Sequence, residues 1–205
     1  MAEDLRLRIG IMGGTFNPVH LGHLLLAETA WSEAKLDRVL FIPSGHSYMK
    51  KEAEVIDAVH RLHMVELAIK DQPAFSASDI EIKRAGNTYT CDTLKQLQEE
   101  YRTAEFYFIM GADCLFSIEN WHKPQEIFRR CSLLAAVRDG ADIARMREKC
   151  TELKEKYQAK VKLLSFPETA ISSTMIRERV KRDKSVRFMV PESVRLYMEE
   201  NHLYQ

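Results

Sequence analysis

Leu7-Arg8-Ile9-Gly10-Ile11-Met12-Gly13-Gly14-Thr15-Phe16-Asn17-Pro18-Val19-His20-Leu21-Gly22-His23 is the stretch on which the reading of this chain turns. An apolar run, a glycine turn and a helix start carrying two histidines make, in that order, a site for phosphate. Backbone N–H groups at the turn and at the helix N-terminus favour anions, through unpaired donors and the helix dipole. Glycine lets the main chain approach a ligand with no Cβ in the way. His20 and His23 lie three apart, so on a helix beginning near Val19 they project from one face toward one point. Phosphate held below two imidazoles points to phosphoryl or nucleotidyl transfer.

Outward from that stretch, apolar runs alternate with segments of helical period. Strands are expected at Leu7–Met12, Arg38–Ile42, Phe75–Ala77 with Ile80–Lys83, Glu105–Met110, Cys131–Val137 and Val161–Leu164. Helices are expected at Val19–Lys35, Ile56–Asp71, Thr90–Arg102, Pro124–Arg130, Ile143–Tyr157, Ser172–Arg182 and Pro191–Asn201. Asp57 reads as a helix start signal, and Pro124 and Pro191 sit where proline is tolerated, at the first helical turn. The alternation predicts an α/β fold: a Rossmann-like parallel sheet with helices on both faces. In such folds ligands bind at the C-terminal ends of the strands. The glycine turn, Ile42-Pro43-Ser44-Gly45, Met110-Gly111-Ala112-Asp113 and Val137-Arg138 all occupy such ends. No repeat or flexible linker interrupts the chain, so one domain over residues 1–205 is expected, with a helical C-terminal part from about residue 168.

Composition narrows the partners. The 205 residues are 45% hydrophobic and 29% charged, ordinary for a globular chain, with 30 basic residues against 30 acidic ones. No global field therefore advertises nucleic acid or a membrane surface. No apolar stretch approaches a membrane span, and the acidic opening Met1-Ala2-Glu3-Asp4-Leu5-Arg6 lacks the features of a signal peptide, so a cytoplasmic location is expected. Cys91, Cys114, Cys131 and Cys150 form no CxxC pair and read as reduced packing residues. A homo-oligomer is allowed, but nothing in the sequence specifies one.

GxGxxG and GxxxxGK[ST] are both absent, which disfavours a dinucleotide dehydrogenase and a P-loop kinase. Instead, Gly13-Gly14-Thr15-Phe16-Asn17-Pro18-Val19-His20-Leu21-Gly22-His23 resembles the T/HxGH signature of the nucleotidyltransferase superfamily. Ile171-Ser172-Ser173-Thr174-Met175-Ile176-Arg177 matches its second signature, ISSTxIR. Within that superfamily the chain resembles the bacterial nicotinate mononucleotide adenylyltransferases over essentially its whole length. Beyond the two signatures, the likeness rests on Arg61–Ile69, Asn87–Leu94, Gly111-Ala112-Asp113 with the later Trp121, and Asn201-His202-Leu203-Tyr204.

The resemblance implies a nucleotidyltransferase fold and a reaction joining ATP to nicotinate mononucleotide, with release of pyrophosphate. Mg²⁺ is expected to arrive on ATP, and no dedicated carboxylate cage, hence no protein metal ligand, is visible. The catalytic residues implied are His20 and His23, donating to the α/β-phosphates. ATP binding is implied for Gly13, Gly14, Thr15, Phe16, Lys50, Ile171, Ser172, Ser173, Thr174 and Arg177. Mononucleotide binding is implied for Thr15, Thr90, Gly111, Asp113, Trp121 and Arg138. Trp121 would stack on the pyridine ring, the alternative being a core tryptophan. Thr90 would place a hydroxyl near the nicotinate carboxylate or cap the following helix, and Ser172 is also a helix N-cap.

One segment departs from the family pattern. Where many relatives carry a Pro-Pro-His-Lys segment after the second strand, this chain has Ser47-Tyr48-Met49-Lys50. Lys50 is kept, while methionine cannot donate the hydrogen bond of histidine. The nearest enzyme rival is a phosphopantetheine adenylyltransferase of the same fold. The rival of another class is a non-catalytic nucleotide-binding sensor.

Overall fold

Six strands form one sheet in the order β3-β2-β1-β4-β5-β6. A computed structural model describes residues 6–45, 55–138, 143–167 and 169–205. The strands are β1 (Arg8–Gly14), β2 (Arg38–Pro43), β3 (Phe75–Ala77), β4 (Glu105–Met110), β5 (Cys131–Arg138) and β6 (Val161–Phe166). Between and after them run α1 (Leu21–Ala34), α2 (Ala58–Ile69), α3 (Thr90–Glu100), α4 (Ala112–Ser117), α5 (Pro124–Arg130), α6 (Ile143–Tyr157), α7 (Ser173–Val180) and α8 (Glu192–Glu200). The ladders joining β1 to β4, β4 to β5 and β5 to β6 are parallel, with Ile9 opposite Phe106, Phe108 opposite Leu133, and Ala135 opposite Leu163. This is the strand order of the Rossmann class, which reverses direction at β1.

The chain divides into two compact units. The first comprises Met1–Met12, Leu26–Leu40 and Tyr89–Glu168. Its strands are buried on both faces, as parallel strands between helices must be: Ile9, Leu133, Ala135 and Leu164 are fully enclosed. Gly10 belongs to that packing, because a Cβ there would lie 2.7 Å from Leu36 Cδ1 and 3.0 Å from Ile109 Cδ1. After α4 the chain makes a 3₁₀ turn at Ile118–Asn120 and presents Trp121. Glu119 in that turn accepts from Lys149 Nζ at 2.5 Å, Lys156 Nζ at 2.8 Å and the Tyr157 hydroxyl at 3.0 Å, all on α6. Those donors, Lys149 foremost, hold its carboxyl down at about 2.

The second unit comprises Gly13–Leu25, Phe41–Thr88 and Thr169–Gln205. Asp57 caps α2 as its sequence position suggests, accepting from Val59 N–H at 2.7 Å. α2 packs against α8, where Ser193 donates to the Leu67 carbonyl at 3.1 Å and His60 Nδ1 meets the Tyr197 hydroxyl at 2.8 Å. Phe41 joins Phe16 and Phe75 in one aromatic cluster, with ring centroids 5.9 and 5.4 Å apart.

Three expectations need correction. Ile80–Lys83 is a turn, not a strand: Lys83 N–H returns to the Asp79 carbonyl and Arg84 N–H to the Glu81 carbonyl, so the amides close locally instead of pairing in a ladder. Helix α1 begins at Leu21, not Val19, which leaves His20 just outside it. Helix α4, not expected from the sequence, opens at the Gly111-Ala112-Asp113 strand exit after β4, with Gly111 at its N-cap.

Gly45, at the exit of β2, is the tightest glycine contact of the second unit. A Cβ there would sit 2.4 Å from the main-chain carbonyl oxygen of Glu81, an atom that cannot swing aside. Gly45→Ala should therefore lower unfolding stability by about 1–3 kcal/mol, as overpacking does. Urea titration of the purified protein reads this directly, and an unchanged midpoint would show that the 78–84 turn can yield.

Candidate active site

In the loop from Gly13 to His20, the carbonyls of Gly14, Thr15, Asn17 and Pro18 each turn toward a protein donor. Gly14 C=O accepts from Ser44 N–H at 2.9 Å. Thr15 C=O accepts from Arg61 Nη1 at 2.8 Å, and Asn17 C=O from Arg177 Nη1 at 3.0 Å. Pro18 C=O accepts from Ser173 Oγ at 2.9 Å. The Asn17 side chain, 2% exposed, accepts at Oδ1 from the Tyr204 hydroxyl at 2.8 Å and from Ile56 N–H at 3.5 Å. With their carbonyls committed, the peptides following Gly14 and Thr15 point their N–H groups the other way, since C=O and N–H of a trans peptide are opposed. A run of carbonyls turned inward thus leaves backbone donors for an anion, the property expected from the glycines.

His20 and His23 meet as the spacing anticipates, but by a different route. His20 is the residue before α1, and His23 is in the first turn. Their rings stack with centroids 3.7 Å apart and planes 29° from parallel. His20 N–H donates to His23 Nδ1 at 3.2 Å. A nitrogen that accepts carries no proton, so neutral His23 holds its hydrogen on Nε2. Phe16 braces the same ring edge-on at 5.0 Å. Phe16 itself is 2% exposed with φ of +49°, so its side chain is core and only its main chain can face a ligand. Glycine at 22 is needed for the pair, because a Cβ would approach His20 Nδ1 and Cε1 at 3.1 Å and Thr169 Oγ1 at 3.0 Å.

Burial drives the His20 pKa from 6.5 down to about 4. At neutral pH the ring is therefore uncharged, and its Nδ1 is buried with no partner among the described residues. An approaching phosphate would work against this desolvation and favour the protonated form.

Helix α7 brings the second motif to the same loop. Ser172 caps it, accepting from Met175 N–H at 3.2 Å, and remains exposed. Ser173 and Arg177 are spent partly on Pro18 and Asn17, while Arg177 Nη2 also reaches Thr174 Oγ1 at 3.4 Å. These two residues thus join the motifs physically and are not solely ligand groups. Ile171 is half-buried one residue before the cap. Lys50 lies outside the described residues, as does the Ser47–Met49 departure.

Of the residues assigned to the mononucleotide, Thr15 belongs to the second unit and Thr90, Gly111, Asp113, Trp121 and Arg138 to the first. Trp121 is half-buried, T-shaped against Phe108 at 5.9 Å and 84°, so one edge is packed and part of the indole stays accessible. Thr90 is the first residue of α3, whose N-cap is Tyr89 with no side-chain cap bond, so Thr90 does not cap that helix. Gly111 has ordinary extended φ of −79°, and a Cβ there would meet nothing within 4 Å. Neither strain nor packing within the chain demands glycine at 111. Asp113 is exposed in the first turn of α4. Arg138 ends β5, in register with Phe166 on β6. Among the described residues no three His, Cys, Asp or Glu side chains gather as metal ligands would.

Sequence reasoning missed Arg61, Asn17 and Tyr204 as parts of this site. Arg61 and Tyr204 stood in stretches that carried the family resemblance, but their partners are distant carbonyl and amide oxygens, which no local pattern displays.

A Rossmann-class sheet, an inward-turned phosphate loop under two stacked histidines, and a serine-capped helix bonded to that loop define a nucleotidyltransferase. Consistent with this, the model of the cytidylyltransferase-like family matches residues 11–179. A Lachnoclostridium phytofermentans protein named as a probable nicotinate-nucleotide adenylyltransferase is 48% identical, over 96% of this chain and 98% of its own. One from Dehalococcoides mccartyi, of the same name, is 45% identical over 97% of each. The nicotinic acid mononucleotide adenylyltransferase of Plasmodium falciparum, solved with NaAD, shares the fold at a TM-score of 0.78 and 19% identity, covering 96% of this chain and 97% of that one. The chain belongs to the nicotinate-nucleotide adenylyltransferase family.

The depressed pKa of His20 has a measurable sign. Between about pH 6.5 and about pH 4 the unfolded chain protonates this histidine while the folded one does not, so stability rises with pH across that window. It is complete above pH 6.5 and is lost at up to about 1.4 kcal/mol per unit as pH falls toward 4. Urea unfolding of wild type and His20→Asn between about pH 7 and about pH 4.5 should show the wild type losing the more stability, by more than about 1 kcal/mol. Parallel profiles would contradict the burial of a neutral ring.

Proposed function

We infer that this enzyme transfers the adenylyl group of ATP to nicotinate mononucleotide, giving nicotinate adenine dinucleotide and pyrophosphate. Support comes from its family membership, and the observation that carries the mechanism is the stacked His20–His23 pair beside backbone donors held by Arg61 and Ser44. A phosphate oxygen of the mononucleotide attacks the α-phosphorus of ATP. The new P–O bond forms as the bond to the bridging oxygen of the β-phosphate breaks, and pyrophosphate leaves with the electron pair. The nucleophile is already an anion, so no general base is required; the protein's task is to bring anions together and meet the charge that grows.

In this reading His23 donates from Nε2 to the α/β-phosphates, and His20 joins it. The N–H groups of Gly14–Phe16 cradle phosphate, with Gly13 giving the turn its room. Ser172, Thr174 and the remaining donors of Arg177 take the β/γ-phosphates at the N-terminus of α7, next to Ile171, and Lys50 adds charge. Mg²⁺ enters on ATP as part of that substrate. Trp121 stacks on the pyridine ring, Gly111 and Asp113 meet the ribose, and Thr90, Thr15 and Arg138 complete the mononucleotide contacts. Both compact units are assigned to one nucleotidyltransferase domain, residues 1–205, because the family match runs through both without a break. A cytoplasmic setting suits its four free cysteines.

Pyrophosphate release with Mg-ATP is the direct test, offered nicotinate mononucleotide, its amide or phosphopantetheine as acceptor. Clear preference for the acid mononucleotide is expected; turnover of phosphopantetheine alone would overturn the assignment, and ATP binding without turnover would favour a sensor. His23→Ala should reduce kcat by roughly 10²–10³-fold, the usual loss for a donor that acts on transition-state charge, with a smaller change in ATP binding. Trp121→Ala should instead chiefly raise KM for the mononucleotide. Unchanged mononucleotide kinetics would return Trp121 to a packing role.

A further inference from the structure

Arg61 is a cation buried to 2% exposure whose side-chain hydrogen bonds among the described residues run to main-chain carbonyls: Nε to Ile56 at 3.1 Å, Nη1 to Thr15 at 2.8 Å and Nη2 to Ser44 at 2.7 Å. Burial pulls its pKa below the ordinary arginine value, partly offset by Tyr204 and Asp57. Placing a guanidinium in a core is costly, and an apolar side chain of similar volume usually serves stability as well or better. Its presence calls for a use that methionine or leucine could not meet.

The geometry of the Thr15–Phe16 peptide supplies that use. With the Thr15 oxygen fixed on Nη1, the Phe16 N–H of the same planar unit points away from the guanidinium. Were the oxygen released, the peptide could rotate and present a carbonyl where a donor is required, replacing attraction for phosphate by repulsion. The pressure to rotate is real: Phe16 lies at φ of +49°, a region that non-glycine residues enter at a cost of about 1–3 kcal/mol. Its ring, packed between Phe41 and His23, cannot follow the main chain outward. The preceding peptide is locked the same way by Ser44 N–H on Gly14 C=O, and Ser44 is itself held at its carbonyl by Arg61. One buried fork thus secures two consecutive peptide planes, directly and through Ser44.

We propose that Arg61 is a positioning residue for adenylyl transfer, which by holding the Thr15 carbonyl keeps the Phe16 N–H turned toward the substrate phosphate. It touches no substrate, and the proposal rests on the reading of Gly14–Phe16 as the phosphate cradle.

Full-length ¹⁵N-labelled wild type and Arg61→Lys are titrated with inorganic pyrophosphate while the Phe16 amide resonance is followed. Lysine keeps the charge but not the fork. Expected is a saturable Phe16 shift in wild type that is lost in Arg61→Lys, with kcat reduced roughly 100-fold and KM for nicotinate mononucleotide within about threefold, the pattern of a donor lost at the transition state. An equal Phe16 shift and an equal kcat in the two proteins would overturn the role of Arg61 alone. No Phe16 shift in wild type would instead remove the phosphate cradle, and the proposal with it. Should Arg61→Lys fail to fold, the wild-type pyrophosphate complex still decides. Through-hydrogen-bond coupling between the Arg61 guanidinium nitrogen and the Thr15 carbonyl carbon supports the lock, and its absence refutes it.

Discussion

A guanidinium surrounded by peptide carbonyls is the constraint on which the second unit depends. Arg61 satisfies Thr15, Ser44 and Ile56 from a single fork, and those residues come from three separate stretches of chain. Neutral side chains could not repeat this, since none offers three or more donors in fixed directions. The energetic trade runs in both senses. Desolvating the charge is expensive, but so is leaving three part-buried carbonyls without donors. Once the fork is seated, the loop after β1 is pinned from behind and its amides are exposed in front.

Around that clamp the histidine pair gains its character from enclosure. His20 sits neutral in the wall, giving its main-chain N–H to His23 and its ring face to the stack. His23 is therefore fixed as to tautomer by the His20 main chain and as to orientation by the His20 ring. Phe16 restrains the remaining edge. The arrangement resembles an oxyanion device more than an acid–base pair: the donors are set beforehand, so little reorganisation is needed when charge shifts on the phosphate.

The parts of this architecture that could be read from the chain were those encoded locally. Ile9–Met12, Phe106–Met110 and Leu133–Val137 are apolar runs of strand length, and burial on both faces is why they show no alternation. Asp57 and Ser172 cap their helices because a side-chain acceptor two or three residues before a free N–H is a local bond. Ile80–Lys83 misled because its apolar–polar alternation lies in a locally bonded turn, whose Glu81 main chain packs on Gly45, and not in a ladder. Helix α4 was hidden because it is only six residues long and opens on glycine. Arg61, Asn17 and Tyr204 were illegible as site residues for a different reason. Their partners are fixed by tertiary folding, up to 187 positions away, and a carbonyl leaves no mark in a sequence.

The Tyr204–Asn17 bond sets a temporal order on the molecule. Ser173, Arg177 and Tyr204 reach the first loop across 155, 160 and 187 positions, and all three lie C-terminal to it, so the loop is synthesised before its partners. Contacts so remote in sequence form late, after the intervening chain has paid its loop-closure entropy. A nascent chain carrying both histidines thus lacks the bonds that hold them in place until residues near 204 have been made. The motif is made before the residues that brace it, and it is complete only once they fold back onto it.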